Sequence, residues 1–195
     1  GEQMLEALQD GDAVLVIGDM QRIAALKGAE SIVPAIIVGK DGDDSFVYAT
    51  RKGQLEAELP DIESEDIACM FFTSGTTGRV KAAALTHRNL VTGMTNTRMS
   101  MAAIFQRMAA AYGMDVEKLR ASLPQSSSLL VFPLFHTSGC SAIFLTAFAS
   151  GGKIVMIDRW SGEHALELIE SEKITAFGAV PTMLWDLVNS PAYGK

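Results

Sequence analysis

Two periodicities alternate along this 195-residue chain, short apolar runs of strand length and stretches with helical spacing, and that alternation restricts the fold more than any other feature. In the C-terminal half Leu129–Phe132, Lys153–Ile157 and Ile174–Phe177 read as strands. Ser138–Phe148, Gly162–Glu170 and Pro181–Val188 read as helices, with a turn at Gly151-Gly152. The N-terminal part repeats the rhythm: Met4–Leu8 ends a helix, Ala13–Ile17 is a strand, Met20–Lys27 a helix and Ala35–Val38 another strand. Strands separated by helices close as right-handed βαβ units, so the expected class is α/β with mostly parallel sheet. An acidic stretch, Gln54–Asp66, reads as a solvated connector and divides an expected first subdomain, 1–66, from a second, 67–195.

One segment departs from scaffold chemistry. The apolar run Ile67–Phe72 has the length of a buried strand and ends in six small residues, Thr73, Ser74, Gly75, Thr76, Thr77 and Gly78. Gly75 and Gly78 can take positive φ and let a ligand approach the backbone, so successive N–H groups can converge on an anion. The four hydroxyls are donors that rotate toward phosphate oxygens, and Lys81 places a compact positive charge just beyond them. Such residues also dominate ligand-free turns. At roughly 7% background per position, however, TSGTTG arises by chance in a chain this long with probability on the order of 10⁻⁵. A Walker-type loop is excluded by spacing, because Lys81 stands three residues after Gly78 and Ala82 follows it. A second strand near Ala82–Leu85 leads to a long helix with Thr86 as N-cap. The positive end of that helix would reinforce Lys81 if it faces the loop.

Met70 to Asn89, MFFTSGTTGRVKAAALTHRN, resembles the phosphate-binding signature of the adenylate-forming enzymes, which include acyl-CoA synthetases, luciferase-like enzymes and peptide-synthetase adenylation domains. In that pattern an aromatic residue precedes TSGTTGxPKG, and a Thr-His pair and an Asn follow; Phe72, Thr86, His87 and Asn89 match. Val80 stands where the family usually has Pro, which frees φ and restores a backbone donor, and Ala82 where it usually has Gly, which adds a Cβ. LLVFPLFHTSG, Leu129 to Gly139, is similar to the family's PLFHxxG segment, whose His borders the acyl pocket; His136 is the matching residue. TAFGAVPTML, Thr175 to Leu184, is similar to the VPT segment, although Pro181 in the first turn of a helix explains it structurally as well.

The resemblance implies the fold of the N-terminal domain of an adenylate-forming enzyme and an AMP-forming ligation of a carboxylic acid, a fatty acid foremost, to CoA. ATP, Mg²⁺ and CoA are the implied cofactors and co-substrates. Thr73 to Gly78 and Lys81 would hold the phosphates, with Lys81 and His136 as the catalytic candidates. The family's adenine, ribose and C-terminal lysine segments have no match here, so the chain reads as an internal fragment without turnover of its own. Acylation of a carrier protein, a luciferase-like oxidation, and a non-catalytic nucleotide-binding piece in which Val80 and Ala82 mark decay of the loop are the alternatives.

Composition narrows the rest. A net charge of −7 argues against nonspecific nucleic-acid binding and against a polybasic membrane surface. Pro133, His136 and Gly139 interrupt the apolar stretch Leu129–Ala149, no signal peptide is legible, and a cytoplasmic enzyme is expected. A homodimer is left open. Cys69 and Cys140 lack metal-ligand spacing and read as buried thiols; His87, His136 and His164 lack it too, and His164 reads as a surface position on a helix. Half of the ten methionines fall between Met94 and Met114, where adaptable core packing is the commoner explanation and the lining of an acyl pocket the rarer one.

Overall fold

The computed structural model describes residues 2–26, 33–39, 58, 60–74 and 80–194, with the side chain of Ser74 excepted. Two compact units, Gly1–Leu85 and Thr86–Lys195, divide the chain.

In the first unit α1 (Glu2–Asp10) leads to β1 (Val16–Asp19), α2 (Met20–Ala25) and β2 (Ala35–Val38). β1 and β2 pair in parallel, Val16 opposite Ala35 and Asp19 opposite Val38. Ile23 and Leu26 are buried against Leu5, Leu8, Val16 and Ile37, so one face of each helix covers this sheet. The first strand begins three residues later than expected because the chain is still closing α1 at Ala13, whose N–H donates to the Leu8 carbonyl (3.0 Å) after Asp12 turns through φ 47°. Asp19 ends β1 and also caps α2, accepting from the Arg22 N–H at 2.8 Å. That backbone hydrogen bond holds its carboxyl below the usual range. β3 (Ile67–Ser74) pairs with β4 (Val80–Thr86) in a separate two-stranded sheet. Their connection is far too short for a parallel crossover. Of the acidic connector, residues 60–66 are exposed, whereas 54–57 and 59 lie outside the described residues.

The second unit opens with α3 (His87–Tyr112), a 26-residue helix. Its start is a capping box: Thr86 Oγ1 accepts from the Asn89 N–H (3.2 Å), and Asn89 Oδ1 accepts from the Thr86 N–H (2.9 Å). Thr86→Ala is expected to cost about 1 kcal/mol, read as a lower urea midpoint at unchanged slope. Gly113 at φ 60° ends the helix in the left-handed conformation that favours glycine.

A short helix absent from the sequence reading, α4 (Val116–Ser122), follows, capped by Asp115. β5 (Ser127–Leu130) is the central strand of a three-stranded parallel sheet, between β6 (Lys153–Met156) and β7 (Ala176–Phe177). α6 (Gly162–Ser171) joins β6 to β7, and α7 (Pro181–Val188) follows with Pro at its first turn. Leu129 and Ala165, both at 0% exposure, and Leu187 form the core beneath them.

The parallel pairs β1/β2, β5/β6 and β5/β7 bear out the α/β class. Three local expectations are corrected. Ser138–Phe148 is not a plain α-helix: Ser138–Leu145 is π-helical and only Thr146–Ala149, α5, is α-helical. Cys69 and Cys140 are half-buried rather than buried. Of the methionine-rich stretch, Met94 and Met108 are half-buried, whereas Met99, Met101 and Met114 are 66%, 45% and 43% exposed and so are not core. His164 is exposed as expected, beside Glu167. Among the described residues no helix is long and apolar enough to cross a membrane.

Candidate functional site

The phosphate-loop candidates fall at the tip of β3/β4. Thr73 is exposed near the end of β3, and its hydroxyl donates to the Lys81 carbonyl at 3.4 Å, which ties the two strands together where they enter the loop. Lys81 is exposed near the start of β4. Ser74 is the last residue of β3, while Gly75, Thr76, Thr77 and Gly78 lie outside the described residues.

The two departures from the family pattern sit comfortably. Val80 and Ala82 are both in β4, and the non-glycine residues with positive φ among the described residues are Asp12 and Lys173. The Cβ of Ala82 therefore meets no left-handed backbone. The Thr86 and Asn89 positions of the signature are explained by the capping box, a structural role.

His136 belongs to the second unit, in the turn that precedes the π-helix. Its N–H donates to the Pro133 carbonyl (3.1 Å), and its carbonyl accepts from Gly139 (3.0 Å) and Cys140 (2.9 Å), so the main chain at this residue starts the helix. The ring is exposed, and Nδ1 accepts from the Ser138 N–H at 3.3 Å and lies 2.7 Å from Ser138 Oγ. With Nδ1 engaged as an acceptor, the neutral imidazole carries its proton on Nε2 and presents a donor outward. Gly139 makes this turn possible. A Cβ there would lie 2.2 Å from the Pro133 oxygen and 2.7 Å from the Phe132 oxygen, both main-chain atoms.

The π-helix lies against α3 and β5. Its wider turn leaves the Ser141 hydroxyl buried and without a hydrogen-bond partner. Single stretches of π-helix are frequent at functional sites. A recess of about 290 Å³ bordered by Thr97, Thr137, Ser138, Ser141 and Ala142 begins beside the His136 turn. A cavity of about 750 Å³ shares Thr97 and Ala142 with it and continues along α3. The sequence reading did not identify this cavity; its one signal was the methionine-rich helix, of which Met101 is a wall.

A family model for AMP-binding enzymes matches residues 1–195. The chain belongs to the AMP-binding enzyme family. The adenylate-forming signature read from Met70 to Asn89 is borne out at the level of the family. Among curated relatives of this AMP-binding chain, 4-coumarate–CoA ligase 4 of Arabidopsis thaliana is 28% identical over 152 residues, which are 77% of this chain and 24% of that protein. 4-Coumarate–CoA ligase 1 of Narcissus pseudonarcissus is 25% identical over 189 residues, 94% of this chain and 32% of that one. The chain thus spans about a quarter to a third of the length of these relatives.

Solved structures agree on the fold. ATP-bound MatB from Rhodopseudomonas palustris superposes with a TM-score of 0.71 at 24% identity, over 96% of this chain and 34% of that one. O-succinylbenzoate CoA synthetase from Bacillus subtilis in complex with ATP and magnesium gives 0.63 at 26% identity, over 96% and 33%.

Proposed function

We propose that this AMP-binding chain supplies the phosphate-binding and acyl-binding parts of an ATP-dependent acid–CoA ligase of the cytoplasm. The observation that carries the reading is the β3/β4 pair, which sets the Thr73 hydroxyl and the Lys81 main chain 3.4 Å apart at the two ends of the family's phosphate signature. Thr73, Ser74, Gly75, Thr76, Thr77 and Gly78 hold the β- and γ-phosphates of ATP, and Lys81 neutralises them. A substrate carboxylate oxygen attacks the α-phosphorus, the bond to the β-phosphate oxygen breaks, and pyrophosphate leaves. The CoA thiol then attacks the acyl carbon, forming the thioester and releasing AMP.

Chemistry of this kind needs positioning and charge stabilisation rather than a covalent enzyme intermediate. Lys81 acts where negative charge builds on the departing pyrophosphate. His136, with Nε2–H directed outward and Nδ1 held by Ser138, orients the acid carboxylate. Hydroxyls and one lysine fit a triphosphate that brings its own magnesium, because Mg²⁺ is commonly held by phosphate oxygens and water with few protein ligands. Among the described residues no group of three or more His, Cys, Asp or Glu side chains could hold a metal ion.

CoA as acceptor, in preference to a carrier protein, is supported by relatives named as CoA ligases. The acid, a fatty acid on the signature motifs alone, is taken as a carboxylic acid with an apolar body, alkyl or aryl, since those relatives are named for 4-coumarate and o-succinylbenzoate. Val80 and Ala82 lie in regular strand without positive φ, which supports reading the signature as intact rather than decayed.

ATP–pyrophosphate exchange on the full-length protein that carries these residues, with a panel including octanoate, 4-coumarate and o-succinylbenzoate, tests the proposal. Exchange is expected only in the presence of an acid. Exchange with none of a broad panel would defeat it.

A further inference from the structure

The 750 Å³ cavity lies wholly within the second unit and is within the size range of sites for small organic ligands. Its long wall is one face of α3, where Thr97, Met101 and Phe105 recur at four-residue spacing and span about 12 Å of helix. Opposite are Ile143, Thr146 and Ala147 of the π-helix and α5, with Leu129 of β5 and Phe177 of β7. Most of the surface is therefore apolar.

Its charges are one-sided. Arg98 and Arg120 line the cavity, and among the described residues no Asp or Glu does, in a chain whose net charge is −7. Arg120 lies over the Phe105 ring, 5.7 Å from its centroid, which holds the guanidinium against the far end of the wall, and its contact with Glu117 is a loose 3.5 Å between exposed groups. Arg98 forms no ion pair among the described residues. Ser126 and Ser150 add hydroxyls to the lining. At the other end the shared residues Thr97 and Ala142 lead into the recess with the unpartnered Ser141 hydroxyl and the turn of His136.

We infer that this cavity selects acids bearing a second anionic group on an apolar body, with Arg98 and Arg120 as the specificity-determining residues. The inference rests on the ligase reading above, in which the reacting carboxylate lies at the His136 end. Arg120 stands over Phe105, about 12 Å of helix from Thr97 and the end where the reacting carboxylate lies, so it meets a different group of the same molecule. Arg98 adds a second guanidinium to the same apolar space, and charge-assisted, fork-shaped donors match a second carboxylate. A chain ending in methyl would instead desolvate the two guanidinium groups further and offer them no anion.

The test compares suberate with octanoate, equal in length and differing in the terminal group. In ATP–pyrophosphate exchange on the full-length protein, kcat/KM for suberate is expected to exceed that for octanoate by about tenfold or more. Arg98→Met should bring the ratio toward one, and the double variant Arg98→Met/Arg120→Met should remove it. Arg98→Lys, which keeps the charge without the fork, should retain part of it. Calorimetry of suberate and octanoate without ATP reads the cavity independently of turnover, and suberate should bind the more tightly and lose that advantage in Arg98→Met. A ratio at or below one in the wild type, or a ratio untouched by the arginine variants, overturns the inference even where exchange proceeds. Tight, Arg98-dependent suberate binding with no exchange for any acid would support the ligand class and defeat the ligase reading instead.

Discussion

Lys81→Ala is expected to slow acid-dependent ATP–pyrophosphate exchange by roughly 10²-fold, the usual cost of removing one preorganised charge or donor from a developing anion. The loss should fall mainly on kcat, because in the proposed reaction charge accumulates on pyrophosphate as the bond to the α-phosphorus breaks, whereas triphosphate binding would also draw on the loop hydroxyls and main-chain donors. Lys81 is exposed on β4 and its carbonyl receives the Thr73 hydroxyl. Replacing the side chain thus leaves the tie between the strands intact, and the loss reads as chemistry rather than misfolding. An exchange rate equal to wild type would remove Lys81 from the reaction, while a lower rate together with a lower melting temperature would point to damage of the hairpin.

Gly139→Ala is expected to destabilise the second unit by about 3 kcal/mol or more, at the severe end for an added methyl group in a packed site. The new Cβ would meet the Pro133 and Phe132 oxygens at 2.2 and 2.7 Å. Both belong to the main chain of the turn that carries His136, so no rotamer change relieves the contact. Either the turn opens or the π-helix moves. For a protein of this length the melting temperature should fall by roughly 6–12 °C. Gly93→Ala is the control: it lies inside α3 with open space around it and should stabilise by about 0.5–1 kcal/mol. An unchanged melting temperature in Gly139→Ala would show that the turn is looser than its contacts imply.

Much of the second unit was legible because its signals are local. Pro181 in a first helical turn, Thr86 as an N-cap, and the Gly151-Gly152 turn each act within a few residues, and the elements appear where those residues place them. The π-helix was not legible. SGCSAIFL is small or apolar throughout, so its pattern carries no period to distinguish a wide turn from a normal one. What sets the wide turn apart in the fold is its surroundings: Gly139 lies against the main chain of Phe132 and Pro133, and the helix packs between β5 and α3. The short α4 was missed although Asp115 caps it, because seven residues are too few to show helical spacing.

The candidate site divides along the same line. Thr73 to Gly78 and Lys81 could be named as candidates from order and spacing, since an anion-binding loop is built from consecutive residues and its chemistry is local, whereas His136 was named from the family resemblance. The same residues carried the resemblance to the family. The cavity draws on positions from Thr97 to Gly178, and its electropositive lining depends on Arg98 and Arg120 reaching one space from two helices. No local pattern records such a meeting, because the free energy that brings distant segments together comes from burying their apolar faces. That burial left two guanidinium groups in an apolar cavity with no lining carboxylate among the described residues, and it is this tertiary arrangement, not any local pattern, that supports the proposal of an acid with a second anion.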